Sequence, residues 1–68
     1  MAEAVYQLAE LTGTSQESIE KAVESAVAFG EKTIHNLRWF QVTETRGAIK
    51  EGKVVEWQVT VKVGARAE

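Results

Sequence analysis

The apolar residues of this chain change their spacing at His35-Asn36, and that change leaves few folds open. Before it, Ile19, Ala22, Val23, Ala26, Val27, Gly30 and Ile34 recur at steps of three and four, with Glu17, Glu20, Lys21, Glu24, Glu31 and Lys32 on the other side. This predicts one helix of about twenty residues, roughly 30 Å long, with one buried stripe. Thr14-Ser-Gln-Glu17 has the spacing of a capping box and is expected to start it. His35-Asn36 supplies turn-prone residues to end it. After that point the period is two, the mark of strands whose successive side chains alternate between faces.

Val5 to Leu11 reads as a short strand closed by Thr12-Gly13. Leu37–Ile49 and Val54–Ala67 read as two long strands around Lys50-Glu51-Gly52-Lys53, a hairpin loop with glycine placed for a positive backbone angle. The architecture expected is a β-α-β-β unit of α+β class, antiparallel at the hairpin. A two-residue loop pairs Lys50 with Lys53. Carried unbroken, that register sets Val42 opposite Val61, Phe40 opposite Val63, Trp39 opposite Gly64 and Thr45 opposite Gln58. Phe40 and Val42 then join Val55, Trp57, Val59, Val61 and Val63 in one apolar wall on which the helix can lie.

The opposite face carries Trp39, Gln41, Thr43 and Thr45 beside Glu56, Gln58, Thr60 and Lys62, polar except for one indole. Such a tryptophan fits ordinary interface packing, where aromatic residues are enriched. The sharper alternative is a stacking platform for a planar ligand, with a nearby amide to read a heteroaromatic edge by donating and accepting together. Trp57, on the helix-facing row, reads as core.

At 68 residues the chain buries too little apolar surface to be comfortably stable alone. It has no cysteine and one histidine, which excludes a disulfide and a zinc site of its own and leaves self-assembly into a closed homo-oligomer as the source of stability. A net charge of −2, with both signs mixed along the chain, gives no basic stripe for nucleic acid. No apolar run approaches the ~20 residues of a membrane span, and Met1-Ala-Glu-Ala has no signal-peptide character, so a cytoplasmic location without membrane contact is expected. No glycine-rich nucleotide fingerprint and no nucleophile with a paired base is present, so no catalytic residue and no metal ligand is assigned.

Leu11-Thr-Gly-Thr-Ser15, Leu37-Arg-Trp-Phe40, Thr45-Arg-Gly47 and Trp57-Gln-Val-Thr-Val-Lys-Val-Gly64 resemble the bacterial dodecins in order and spacing over nearly the whole chain, as one domain over residues 1–68. The resemblance implies an antiparallel sheet wrapped on one long helix, twelve copies closing into a hollow homododecameric shell, and flavins lying in pairs between tryptophans related by a two-fold axis. It implies that Trp39 stacks the isoalloxazine and Gln58 hydrogen-bonds its pyrimidine-like edge. Arg46 matches an arginine common in the bacterial members. Its guanidinium suits either a phosphate, favouring FMN over riboflavin as the cofactor with riboflavin and FAD as the alternatives, or a salt bridge across an oligomer contact. The function implied is a flavin-binding protein that stores, buffers or sequesters the ligand and is not an enzyme. The alternatives are a flavin-dependent enzyme and a dodecin-like shell that binds another ligand. The chain departs from the family around Arg66, where Ala65 and Ala67 replace larger apolar residues and should weaken the packing they make. Along the hairpin Trp39 and Gln58 stand six strand positions apart, roughly 20 Å. One flavin is therefore expected to take its tryptophan from one subunit and its glutamine from another.

Overall fold

The computed structural model describes residues 3–67. In chain order it contains β1 (Val5–Ser15), α1 (Ile19–Thr33), β2 (Leu37–Lys50) and β3 (Lys53–Ala67). The strands form one antiparallel sheet in the order β1-β3-β2. This is the β-α-β-β unit expected from the periodicity. Among the described residues no helix is long and apolar enough to cross a membrane.

The hairpin turns as its loop predicts. Glu51 and Gly52 take φ values of 54° and 78°, the pair of positive angles a two-residue turn needs, and Lys50 faces Lys53. The helix starts later than the capping-box spacing suggests. Its N-cap is Ser18, whose side chain accepts the Lys21 N–H at 3.0 Å, while the Ser15 hydroxyl accepts the Glu17 N–H at 2.9 Å in the connection before it. The helix is therefore 15 residues long. It closes with the Ile34 and His35 N–H groups donating to the Gly30 carbonyl, after which His35 and Asn36 turn left-handed with φ of 69° and 64°. The Glu31 carboxylate accepts the Asn36 and Leu37 N–H groups, both at 3.3 Å, and fixes the entry to β2.

Thr12-Gly13 does not end β1, which runs on to Ser15. Gly13 instead lets the helix lie directly on the strand, since a Cβ there would overlap the Ala22 carbonyl and the Ala26 backbone nitrogen. The core formed by this approach is thin. Ala22, Ala26, Val59, Val61, Val63 and Ala65 are its buried apolar side chains among the described residues, and none is larger than valine.

The helix does not lie on the wall expected of it. It packs on β1 and β3, so Val59, Val61 and Val63 are covered, while Phe40 and Val42 on β2 remain 51% and 43% exposed. Between α1 and β2 an open groove of about 800 Å³ is left, lined by Ile19, Val23, Val27, Phe40 and Val42 with Glu20 and Glu24 on its rim. Beyond the helix the hairpin projects as an arm carrying Ile49, Val54 and Val55, 74%, 56% and 41% exposed. The molecule is 56 Å long, with a radius of gyration of 14.1 Å. A compact chain of this size would give about 11 Å.

The hairpin register is not unbroken. Val42 faces Val61, Phe40 faces Val63 and Trp39 faces Gly64 as expected, but irregularities at Arg38, Thr43 and Val55 shift the pairing between them. In the middle of the hairpin Thr45 faces Val59, so Thr45 joins the helix side, and Gln58 faces Arg46 in its place. Trp57 lies over Gly47 on the helix side and packs against the core, but it is only partly buried.

Candidate functional site

The face turned away from the helix is a ladder of cross-strand rungs. Leu8, Gly64 and Trp39 share one rung, then Glu10, Lys62 and Gln41, then Thr12, Thr60 and Glu44, then Thr14, Gln58 and Arg46, with Glu56 opposite Ala48 nearest the hairpin tip. Thr45, expected here, is replaced by Glu44 and Arg46 because Thr43 is the extra residue of a bulge.

At one end of the ladder, Trp39 lies over Gly64. Any Cβ at Gly64 would overlap the indole ring, so glycine is what lets a large ring lie down on the strand. The indole remains 40% exposed. Tyr6 stands beside it with ring centroids 6.2 Å apart and planes tilted by 60°, within the range of a favourable aromatic pair. Tyr6 and Leu8, 41% and 56% exposed, make this end of the face apolar. The two-strand reading missed both, because only the order β1-β3-β2 brings β1 alongside Gly64 and Arg66.

At the other end, three polar side chains form a chain of hydrogen bonds. The Arg46 Nε–H donates to Gln58 Oε1 at 2.7 Å, and the Gln58 amide donates through Nε2 to Glu56 Oε1 at 2.9 Å. Between the two ends the Thr12 and Thr60 hydroxyls bond each other at 2.8 Å. Gln58 and Gly64 are six positions apart on β3, so Trp39 and Gln58 of one chain are separated by about 20 Å. The subunit thus carries an exposed aromatic seat and an oriented amide on the same face, and does not bring them together. Among the described residues no group of three His, Asp or Glu side chains is placed to hold a metal ion.

The family model described as Dodecin matches residues 5–68. The chain belongs to the dodecin family. A dodecin from Thermus thermophilus is 48% identical over 64 residues, covering 94% of this chain and 93% of that protein. Among solved dodecins, one from Streptomyces davaonensis superposes with a TM-score of 0.93 at 37% identity, over 98% of both chains. Two variants of the Thermus thermophilus dodecin, one with an arginine replaced by alanine and one with a tryptophan replaced by phenylalanine, each superpose with a TM-score of 0.90 at 45% identity, over 97% of this chain and 98% of theirs. The β-α-β-β unit is therefore the dodecin fold.

Proposed function

We propose that this chain is a flavin-binding protein that stores or buffers FMN or riboflavin, holding the isoalloxazine against Trp39 at sites completed by neighbouring subunits of a closed shell. The observation that carries this reading is the indole seated on Gly64 with its ring still accessible, on a face that also presents the Gln58 amide. A planar ring needs an aromatic surface, and its heteroatom edge needs a group that donates and accepts together. Trp39 and Gln58 supply these, and the ~20 Å between them favours a pocket shared between copies. The arginine and tryptophan replaced in the Thermus thermophilus variants stand seven positions apart, the spacing of Trp39 and Arg46 here. Arg46 commits its Nε to Gln58, leaving its terminal nitrogens to take the phosphate of FMN by paired hydrogen bonds.

What the subunit leaves uncovered supports assembly with further copies, and the family resemblance supplies the number twelve. A core with nothing larger than valine is a weak source of stability, and each large apolar side chain left in water forgoes about 1.5–3 kcal/mol of burial. The hairpin arm and the groove suit each other: Ile49, Val54 and Val55 are flanked by Lys50 and Lys53, and the groove is rimmed by Glu20 and Glu24. The arm of one copy seats in the groove of the next. We assign no catalytic residue, because a ring held between two aromatic faces leaves little room for hydride transfer. The partners are then flavin and further copies of the chain, without nucleic acid or membrane.

The test is the visible absorbance of the purified protein and the mass of any flavin released on denaturation, followed by titration with riboflavin and FMN while flavin and tryptophan fluorescence are followed. A yellow protein, or one that takes up flavin with quenching, supports the reading. Colourless protein that takes up neither flavin overturns it.

A further inference from the structure

The Gln58 amide has two orientations related by a half-turn of its terminal group, and they present opposite chemistry to a ligand. In this structure both polar ends are already engaged by neighbours of fixed sign. Arg46, cross-strand from Gln58, can only donate, and it bonds the oxygen at 2.7 Å. Glu56, two residues earlier on the same strand face, accepts from the nitrogen at 2.9 Å. Turning the amide over would set its N–H₂ against the guanidinium and its oxygen against the carboxylate, losing two charge-assisted bonds and creating two repulsive contacts. What remains available is one lone pair on Oε1 and one hydrogen on Nε2, in a fixed order.

We infer that Glu56 and Arg46 are positioning residues that lock the Gln58 amide so that the site selects a ring edge with an N–H beside a C=O, the imide edge of a pyrimidine-like heterocycle. This rests on the flavin reading above and names the feature of the ligand that is read and the residues that impose it. A freely turning amide would also accept the reversed edge, a ring nitrogen that accepts beside an amino group that donates, because half a turn exchanges its own donor and acceptor. A locked one cannot, and sets its oxygen against the ring nitrogen and its N–H against the amino group, at a cost of at least roughly one unmade hydrogen bond.

The probes are riboflavin and an analogue with an amino group in place of its C4 carbonyl, so that N3 accepts where riboflavin's N3–H donates, titrated against the assembled protein. For the native chain the amino analogue is expected to bind about tenfold more weakly, the equivalent of about 1.4 kcal/mol of unmade hydrogen bonding. In Glu56→Leu that ratio falls toward one, because the freed amide rotates. In Glu56→Gln, which keeps an acceptor oxygen at the same reach, the ratio is restored. Arg46→Leu lowers the ratio as Glu56→Leu does. A merely structural role for Glu56 would weaken both ligands by the same factor and leave the ratio unmoved. Native protein that discriminates between the two ligands, with Glu56→Leu discriminating equally, overturns this inference and leaves flavin binding standing. Native protein that binds neither ligand overturns both.

Discussion

The part of the sheet beneath α1 and the part beyond it are made from similar side chains and end in opposite conditions. On β3, Val59, Val61 and Val63 are 0%, 0% and 1% exposed. One strand over, their neighbours Phe40 and Val42 are about half exposed. The cause is width. A helix about 10 Å across covers two strands spaced about 4.8 Å apart and no more, and Gly13 with Ala22 and Ala26 draws this helix down over β1 and β3. The third strand and the hairpin arm are left with apolar surface that the subunit itself has no means to cover. The covered half makes the fold, and the uncovered half is the surface we propose for contacts with further copies.

The largest expected effect lies at the close approach. Gly13→Val places a branched side chain where the helix backbone lies and should cost about 3 kcal/mol or more, enough to lose the helical circular-dichroism signal of so small a chain. Phe40→Ala changes more atoms, on the uncovered strand, yet should keep the helical signal under conditions where Gly13→Val has lost it and shift sedimentation toward smaller species. If both variants lost structure alike, the division into two halves would be wrong.

The tryptophans sharpen the same comparison. Trp57→Ala opens space beside the core and should destabilise the protein by about 2–4 kcal/mol in chemical denaturation, toward the lower end for a residue only partly buried. Trp39→Ala removes a seat for ligand, so flavin affinity should fall by roughly tenfold or more with little change in the denaturation midpoint of the ligand-free protein. Equal affinity losses in folded protein for both would deny Trp39 its separate role. A pocket completed between subunits also links binding to assembly. Flavin at a hundred times its dissociation constant should stabilise the shell by about 2.7 kcal/mol per site, read as a rise in melting temperature. Dissociated subunits that bound flavin with undiminished affinity would refute the shared site.

Element types and order were legible because periods of 3.6 and 2 are set by backbone geometry, and the turn at Glu51-Gly52 was legible because few residue pairs accept two positive φ angles. The bulges were not. Arg38, Thr43 and Val55 carry no glycine or proline to mark an extra residue, so the register read from the loop survived beside the turn and over Trp39–Val42 and failed between them and again at Leu37. That is why Trp39 over Gly64 could be placed in advance and the Arg46–Gln58 pair could not. Thr12-Gly13 misled for a different reason, since a glycine required by a close approach looks in sequence like one required by a turn. Tyr6 and Leu8 went unseen because strand order depends on which edge of the hairpin a distant segment joins, and local pattern carries no trace of that.

The smallest effect tests how the uncovered half is used. If the arm seats in a neighbour's groove, Lys50 and Lys53 come close to Glu20 and Glu24 of the next copy, in contacts each worth only about 0.2–1 kcal/mol because they lie at an exposed rim. A head-to-tail contact is repeated around any closed assembly, so a small loss at one contact recurs at every copy. Glu20→Lys with Glu24→Lys should therefore move the sedimentation profile toward smaller species in low salt, and Lys50→Glu with Lys53→Glu should do the same. All four changes in one chain restore opposite charges across the contact and should restore the native profile. In 1 M salt, where screening acts over about 3 Å, the differences among these proteins should shrink. Both double variants fall apart under any interface that uses these residues, so they do not single out this one. Rescue by the fourfold variant does, because only a partner that carries the opposite charges at the same place gains from the exchange. A fourfold variant that stayed dissociated would send the arm to some other surface and leave the groove with another occupant.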